Sequence, residues 1–184
     1  MKRKAKPSTI ATAKQPEFNG RIIGIDLGLA NTAAAVIEGG IGDEHVLALE
    51  FCGTEKSRTL RQMNDDRRRL VLIEHWLERL LRQWRHPSLL TVIRYEWFAP
   101  RFNMTRGWTT SMVVGAVDAV AQAEAEREQL VSSIAKVEVL PASPPLHIQV
   151  SVMPKGWRVP ARAVPHLLDA LTHARLEWCR RAGV

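Results

Sequence analysis

At 184 residues, with 46% hydrophobic side chains, the chain is long enough for one domain with a buried core and short for two. Its 26 Lys and Arg against 19 Asp and Glu leave a formal charge of +7, which favours a polyanionic partner, nucleic acid being the commonest. Cys52 and Cys179 lack metal-ligand spacing, and neither a membrane-length apolar run nor an apolar stretch after the basic Met1-Lys2-Arg3-Lys4 start is present. A zinc site, a membrane span and a secretory signal are therefore not expected, and a cytoplasmic, nucleoid-associated setting is.

Residues 1–19 are rich in Lys, Pro, Thr and Ala without a period, and read as a disordered basic arm ahead of one domain over 20–184. The apolar run Ile22 to Ile25 suits a buried central strand that closes on Asp26. Thr32 to Ile37 and His45 to Phe51 read as second and third strands, joined by a turn at Gly39, Gly40 and Gly42. Asn64, Asp65 or Asp66 is expected to cap a helix with a stripe of Ile73, Trp76, Leu77, Leu80, Leu81 and Trp84. Arg67, Arg68, Arg69, Arg79 and Arg82 fall on its other, solvated face, and Pro87 follows its end.

Leu89 to Phe98 reads as a fourth strand, with Glu96 inside it. A long helix over 105–130 is apolar on more than one face and carries Gly115, Ala119 and Ala123 at four-residue steps, the pattern of a helix that packs on its own sheet and on a neighbour. Lys136 to Leu140 alternates like a fifth strand, Pro141, Pro144 and Pro145 break the chain, and 146–164 is irregular. Pro165 opens a last helix to about Arg180. Together these predict an α/β domain, a mixed five-stranded sheet of three antiparallel strands followed by strand–helix crossovers, flanked by helices.

Four side chains stand out chemically. Asp26 ends an apolar strand and Glu96 lies in another, and a carboxylate in either place is costly unless something offsets its charge. His166 and Asp169 are three residues apart, hence on one face of the last helix. Three carboxylates and an imidazole suffice for two Mg²⁺ or Mn²⁺ ions, which activate water and stabilise the leaving oxygen of a phosphodiester. Each residue also has an ordinary role open to it: Asp26 in a turn, Glu96 paired with Arg94 or Arg101, His166 as a helix packing residue.

Three stretches resemble one known family, the RuvC Holliday-junction resolvases of the ribonuclease H-like class. Ile22-Ile23-Gly24-Ile25-Asp26-Leu27-Gly28-Leu29-Ala30-Asn31-Thr32 looks like their opening. Tyr95-Glu96-Trp97-Phe98, followed by Asn103, is similar to their strand with the catalytic glutamate, and Pro165-His166-Leu167-Leu168-Asp169-Ala170-Leu171-Thr172-His173-Ala174 to their closing helix. The resemblance spans about residues 20–176 and implies catalytic metal ligands at Asp26, Glu96 and Asp169, with His166 as a fourth. It implies a homodimer through helix 105–130 that nicks a four-way DNA junction symmetrically in recombination and repair. Phe98 or Phe102 takes the place of an aromatic wedge, and Lys155, Arg158, Arg101 and Arg106 are DNA-binding candidates.

The chain departs from the family over 141–164, where Lys155 is the best candidate for contacting the scissile phosphate. A kinase or ATPase of the actin type also opens with such a strand but needs two such domains. Other readings are a YqgF-type RNA-processing nuclease, a mobile-element nuclease and a non-catalytic junction-binding protein.

Overall fold

The computed structural model describes residues 18–39, 45–86, 88–96, 104–131, 137–142 and 152–182. Its centre is β1 (Gly20–Asp26), whose Ile22, Ile23 and Ile25 are inaccessible to solvent on both faces. β1 pairs antiparallel with β2 (Asn31–Glu38), which pairs antiparallel with β3 (His45–Gly53). On its other side it pairs parallel with β4 (Leu90–Glu96), and β4 parallel with β5 (Val137–Ala142). The order β3-β2-β1-β4-β5 makes one mixed sheet, with β1 at its middle. Parallel pairing requires crossovers, and helices supply them: α1 (Gln62–Trp84) before β4 and α2 (Met104–Val131) before β5.

The period of two along a strand assigns each residue to a layer. Ile23, Ile25, Ile93 and Tyr95 face α1 and α2, meeting Ile73, Trp76, Leu77, Leu80, Val113 and Val117. Ile22, Ala33, Ala35, Ile37 and Val92 face the other way, onto Leu167, Ala170, Leu171, Ala174 and Trp178 of α3 (Val164–Ala182). Gly24 and Asp26 share that second face.

Gly24 has no room for a side chain. A Cβ there would stand 2.2 Å from the Ala170 carbonyl oxygen and 2.6 Å from the Ala174 nitrogen, so the backbones of α3 and β1 are in direct contact. Polar anchors secure the far end of α3. The buried Glu177 accepts hydrogen bonds from Arg94 of β4 and from Arg180 and Arg181, and Arg181 also reaches Glu138 of β5. Burial alone would raise the pKa of Glu177, but its arginine partners together hold it below the ordinary carboxylate value.

Several elements differ from the sequence reading, each for a physical reason. α1 begins at Gln62 after an Arg61 that makes no side-chain cap, and Asn64, Asp65 and Asp66 lie inside the helix. The Asp65 carboxylate instead accepts the Ser57 amide at 3.1 Å, bracing the preceding loop. Arg69 is buried, donating to the Thr54 hydroxyl at 2.9 Å, so it does not belong to the solvated face. Pro141 pairs with Tyr95 within β5 and does not break it; β5 is an edge strand, where a missing N–H is tolerated. Arg94 pairs with Glu177 of α3.

The small-residue row of α2 is exposed: Gly115, Ala119 and Ala123 face solvent, and a Cβ on Gly115 would meet nothing within 4 Å. Phe18 packs edge-on against Trp178, ring centroids 5.0 Å apart, so chain packed on the core begins at least there. Residues 1–17, the turn at 40–44, Pro87, Trp97 to Asn103 and the break at 143–151 lie outside the described residues.

Gly24→Ala is expected to force α3 off β1 and to lower stability by about 1–3 kcal/mol, the usual cost of overpacking. Urea denaturation at pH 7 measures it, and a midpoint equal to the parent's would contradict the backbone contact.

Candidate active site

β1, β3 and β4 run in the same direction, so their carboxyl ends share one edge of the sheet. Asp26 is the last residue of β1, on the α3 face and 8% exposed. α3 enters from a single 3₁₀ turn, Ala161–Ala163, and its second and third residues are Pro165 and His166. With Ala170 and Ala174 seated on Gly24, the turn before Ala170 reaches the end of β1, and His166 Nδ1 lies 2.7 Å from Asp26 Oδ2. Asp169 follows on the same helix, exposed, and close enough for its charge to act on Asp26.

The electrostatics of Asp26 are unfavourable for a carboxylate. Burial is the largest influence and pushes its pKa up, the hydrogen bond and the charge of His166 bring it down, the like charge of Asp169 raises it, and the balance is upward. Glu96 ends the described part of β4, and Trp97 and Phe98, expected in the same strand, lie outside the described residues. Ile25 is paired with Tyr95 in the parallel register, so Glu96 stands one step along from Tyr95, as Asp26 does from Ile25. Its side chain lies outside the described residues, as does that of Arg106 on α2. Among the described residues no group of three His, Cys, Asp or Glu side chains converges tightly enough to hold a metal ion.

Two residues of this edge were not foreseen. Phe51 of β3 sets its ring beside the His166 imidazole, centroids 6.3 Å apart, and the Arg162 guanidinium lies over the same ring at 5.8 Å. Arg162 comes four residues before His166, a helical spacing visible in the sequence, but nothing local to β3 signals that Phe51 is their shelf. Lys155 and Arg158 are exposed on the 152–160 segment, which Met153, Trp157 and Val159 dock against the α3-side core. Arg101 and Phe102 lie outside the described residues.

No protein-family model and no curated protein sequence matches the chain. Solved structures do. RuvC from T. thermophilus in complex with Holliday junction substrate superposes with a TM-score of 0.58 at 17% identity, over 90% of this chain and 97% of that one. The fold is that of the RuvC resolvases. A second Thermus thermophilus RuvC structure gives 0.53 at 18% identity, covering 89% of this chain and 96% of its own. The yeast mitochondrial Holliday junction resolvase Ydc2 gives 0.54 at 14% identity, over 91% of this chain and 81% of that one. The RuvC-like architecture therefore extends over the described domain, and Asp26, Glu96, His166 and Asp169 sit at one edge of it.

Burial makes the charge of Asp26 costlier in the fold than in the unfolded chain, and an amide of the same shape removes that cost. Asp26→Asn is thus expected to melt at the parental temperature or above it. Calorimetry at neutral pH checks this, and a markedly lower melting temperature would mean that the Asp26 charge holds the fold together.

Proposed function

We propose that the chain is a metal-dependent endonuclease that resolves four-way DNA junctions in recombination. The observation that carries the reading is the Asp26–His166 pair at the carboxyl edge of the sheet, with Asp169 beside it and Glu96 one register step from the strand pair Ile25–Tyr95. This arrangement occurs on the fold of a RuvC solved with its junction substrate. A packing role for His166 would not call for a carboxylate beneath it in an otherwise apolar strand end.

The residues fit a divalent cation. Burial and a neighbouring like charge leave Asp26 short of positive partners, and its donor set of carboxylate oxygens and one imidazole suits Mg²⁺ or Mn²⁺. Asp26, Glu96, Asp169 and His166 would hold the ions, two per site in the fullest form of this reading. When bound, such ions supply the charge that activates an attacking water and stabilises a leaving oxygen. The protein's own part is orientation: α3 holds the imidazole against Asp26, and Phe51 limits how that ring turns. Lys155, Arg158 and Arg106, with Arg101 and Phe102 beyond the described residues, are the further DNA-binding residues of this reading.

A homodimer through α2 belongs to the same proposal, since its exposed Gly115-Ala119-Ala123 row leaves space for a second helix and paired nicking needs two sites. Within residues 1–19, the part before Phe18 acts as a basic arm on the 20–184 domain, Phe18 itself being packed on Trp178, and the work is done at the nucleoid.

A panel of labelled four-way junction, fork, linear duplex and RNA–DNA hybrid in Mg²⁺ tests the proposal. The junction is expected to be cut symmetrically in two strands, with EDTA stopping the reaction and Asp26→Asn binding the junction without cutting it. Cleavage of the hybrid with an intact junction would favour RNA processing, and parental binding with no cleavage of any substrate would favour the non-catalytic reading.

A further inference from the structure

The segment from Thr54 to Arg61 has no regular structure, yet it is tied down at almost every residue. Thr54 donates its amide to the Ala30 carbonyl at 2.8 Å and its hydroxyl to that of Leu29, so the segment starts against the very turn by which the chain leaves Asp26. Asp65, fully buried, accepts the Ser57 amide, and Arg68 donates to the Glu55 carbonyl at 2.6 Å. The Ser57 hydroxyl accepts the amides of Thr59 and Leu60, each at 3.2 Å. Arg69 is bonded to Thr54 at the level of the strand end. The helix residues before it therefore stand past the sheet by roughly 10 Å, at about 1.5 Å per residue.

Lys56, Arg58 and Arg61 point outward from this scaffold. All three are exposed, and none of their side chains makes an ion pair or hydrogen bond among the described residues. The acids nearby are engaged or outnumbered: Asp65 and Asp66 face Arg68 and Arg69, leaving Glu55 as the one exposed carboxylate in the segment. At its start the ledge joins Arg162. A Cβ on Gly53 would stand 3.4 Å from Arg162 Nη2, and Gly53 directly precedes Thr54. Cations therefore follow one another in chain order from this point: Arg162 lies beside Gly53 on the His166 side, and Lys56, Arg58 and Arg61 come on the braced segment that Gly53 leads into.

We propose that this row, Arg162 with Lys56, Arg58 and Arg61, seats the sugar-phosphate backbone of one arm of the branched substrate. The inference rests on the nuclease reading and extends it to a surface apart from Lys155, Arg158 and Arg106. Phosphate is the ligand because the row consists of flexible cations on a braced backbone that starts, at Arg162 and Gly53, beside the place where the nuclease reading puts the phosphodiester. Duplex DNA supplies one charge per roughly 1.7 Å of axis to match it.

The test is salt-dependent binding of a fluorescent four-way junction and of a linear duplex to the full chain, without divalent ions, followed by junction cleavage in Mg²⁺. The triple variant Lys56→Gln/Arg58→Gln/Arg61→Gln is expected to bind the junction about tenfold or more weakly near 0.1 M salt. Its log–log salt slope should be flatter by about 0.9 for each phosphate that is no longer neutralised, and Arg162→Gln alone should flatten it by about 0.9. The three single variants, measured in parallel, keep the result readable should the triple variant be poorly folded. Parental affinity and slope in all of them, with a parent that binds and cuts the junction, would overturn the ledge and leave the nuclease reading standing. A parent that neither binds nor cuts would overturn both.

Discussion

Everything at the site depends on the absence of a side chain at Gly24. Because nothing projects from the middle of β1 on that face, α3 lies with Ala170 and Ala174 against bare strand backbone. One turn earlier the same helix brings His166 to the end of the strand, where Asp26, in phase with Gly24, meets it. A helix held farther off by an ordinary side chain would leave the carboxylate facing a gap. The arginine cluster on Glu177 fixes the other end of α3, so the helix is held at one end by ionic hydrogen bonds and along its middle by close packing.

Much of this was written locally in the chain. The run Ile22-Ile23-Gly24-Ile25 is apolar throughout, which a strand buried on both faces must be, and Asp26 stood out because no such strand accommodates a charge without reason. His166 and Asp169 were found by helical spacing, and the alternation of strands with long helices identified the α/β class. What the sequence hid were features decided by tertiary packing. Asp65 has the composition of a helix cap but serves the loop before the helix, and Arg69 looks like one more surface arginine until Thr54 is placed beside it. Pro141 has the form of a chain breaker, and only its place on an edge strand makes it compatible with β5. Phe51 as a shelf for His166 and Arg162 joins residues more than 100 positions apart, beyond any local pattern.

Charge is distributed with the same logic. Most of the buried acids are matched: Glu177 by three arginines, Glu124 by Arg82 and Arg127, Asp65 by Arg68. Asp26 is the exception, since its partner is a histidine and its neighbour Asp169 is an acid. Among the described buried acids, the other three each have a guanidinium partner and Asp26 has an imidazole, and the proposed cation is what would supply the missing positive charge there.

The most direct measurement of that claim is anomalous diffraction from crystals equilibrated with Mn²⁺. An anomalous peak is predicted at the carboxyl edge of β1, coordinated by Asp26 and by at least one of Glu96, His166 and Asp169. Crystals saturated with Mn²⁺ that show no peak there, with His166 still hydrogen-bonded to Asp26, would contradict the account.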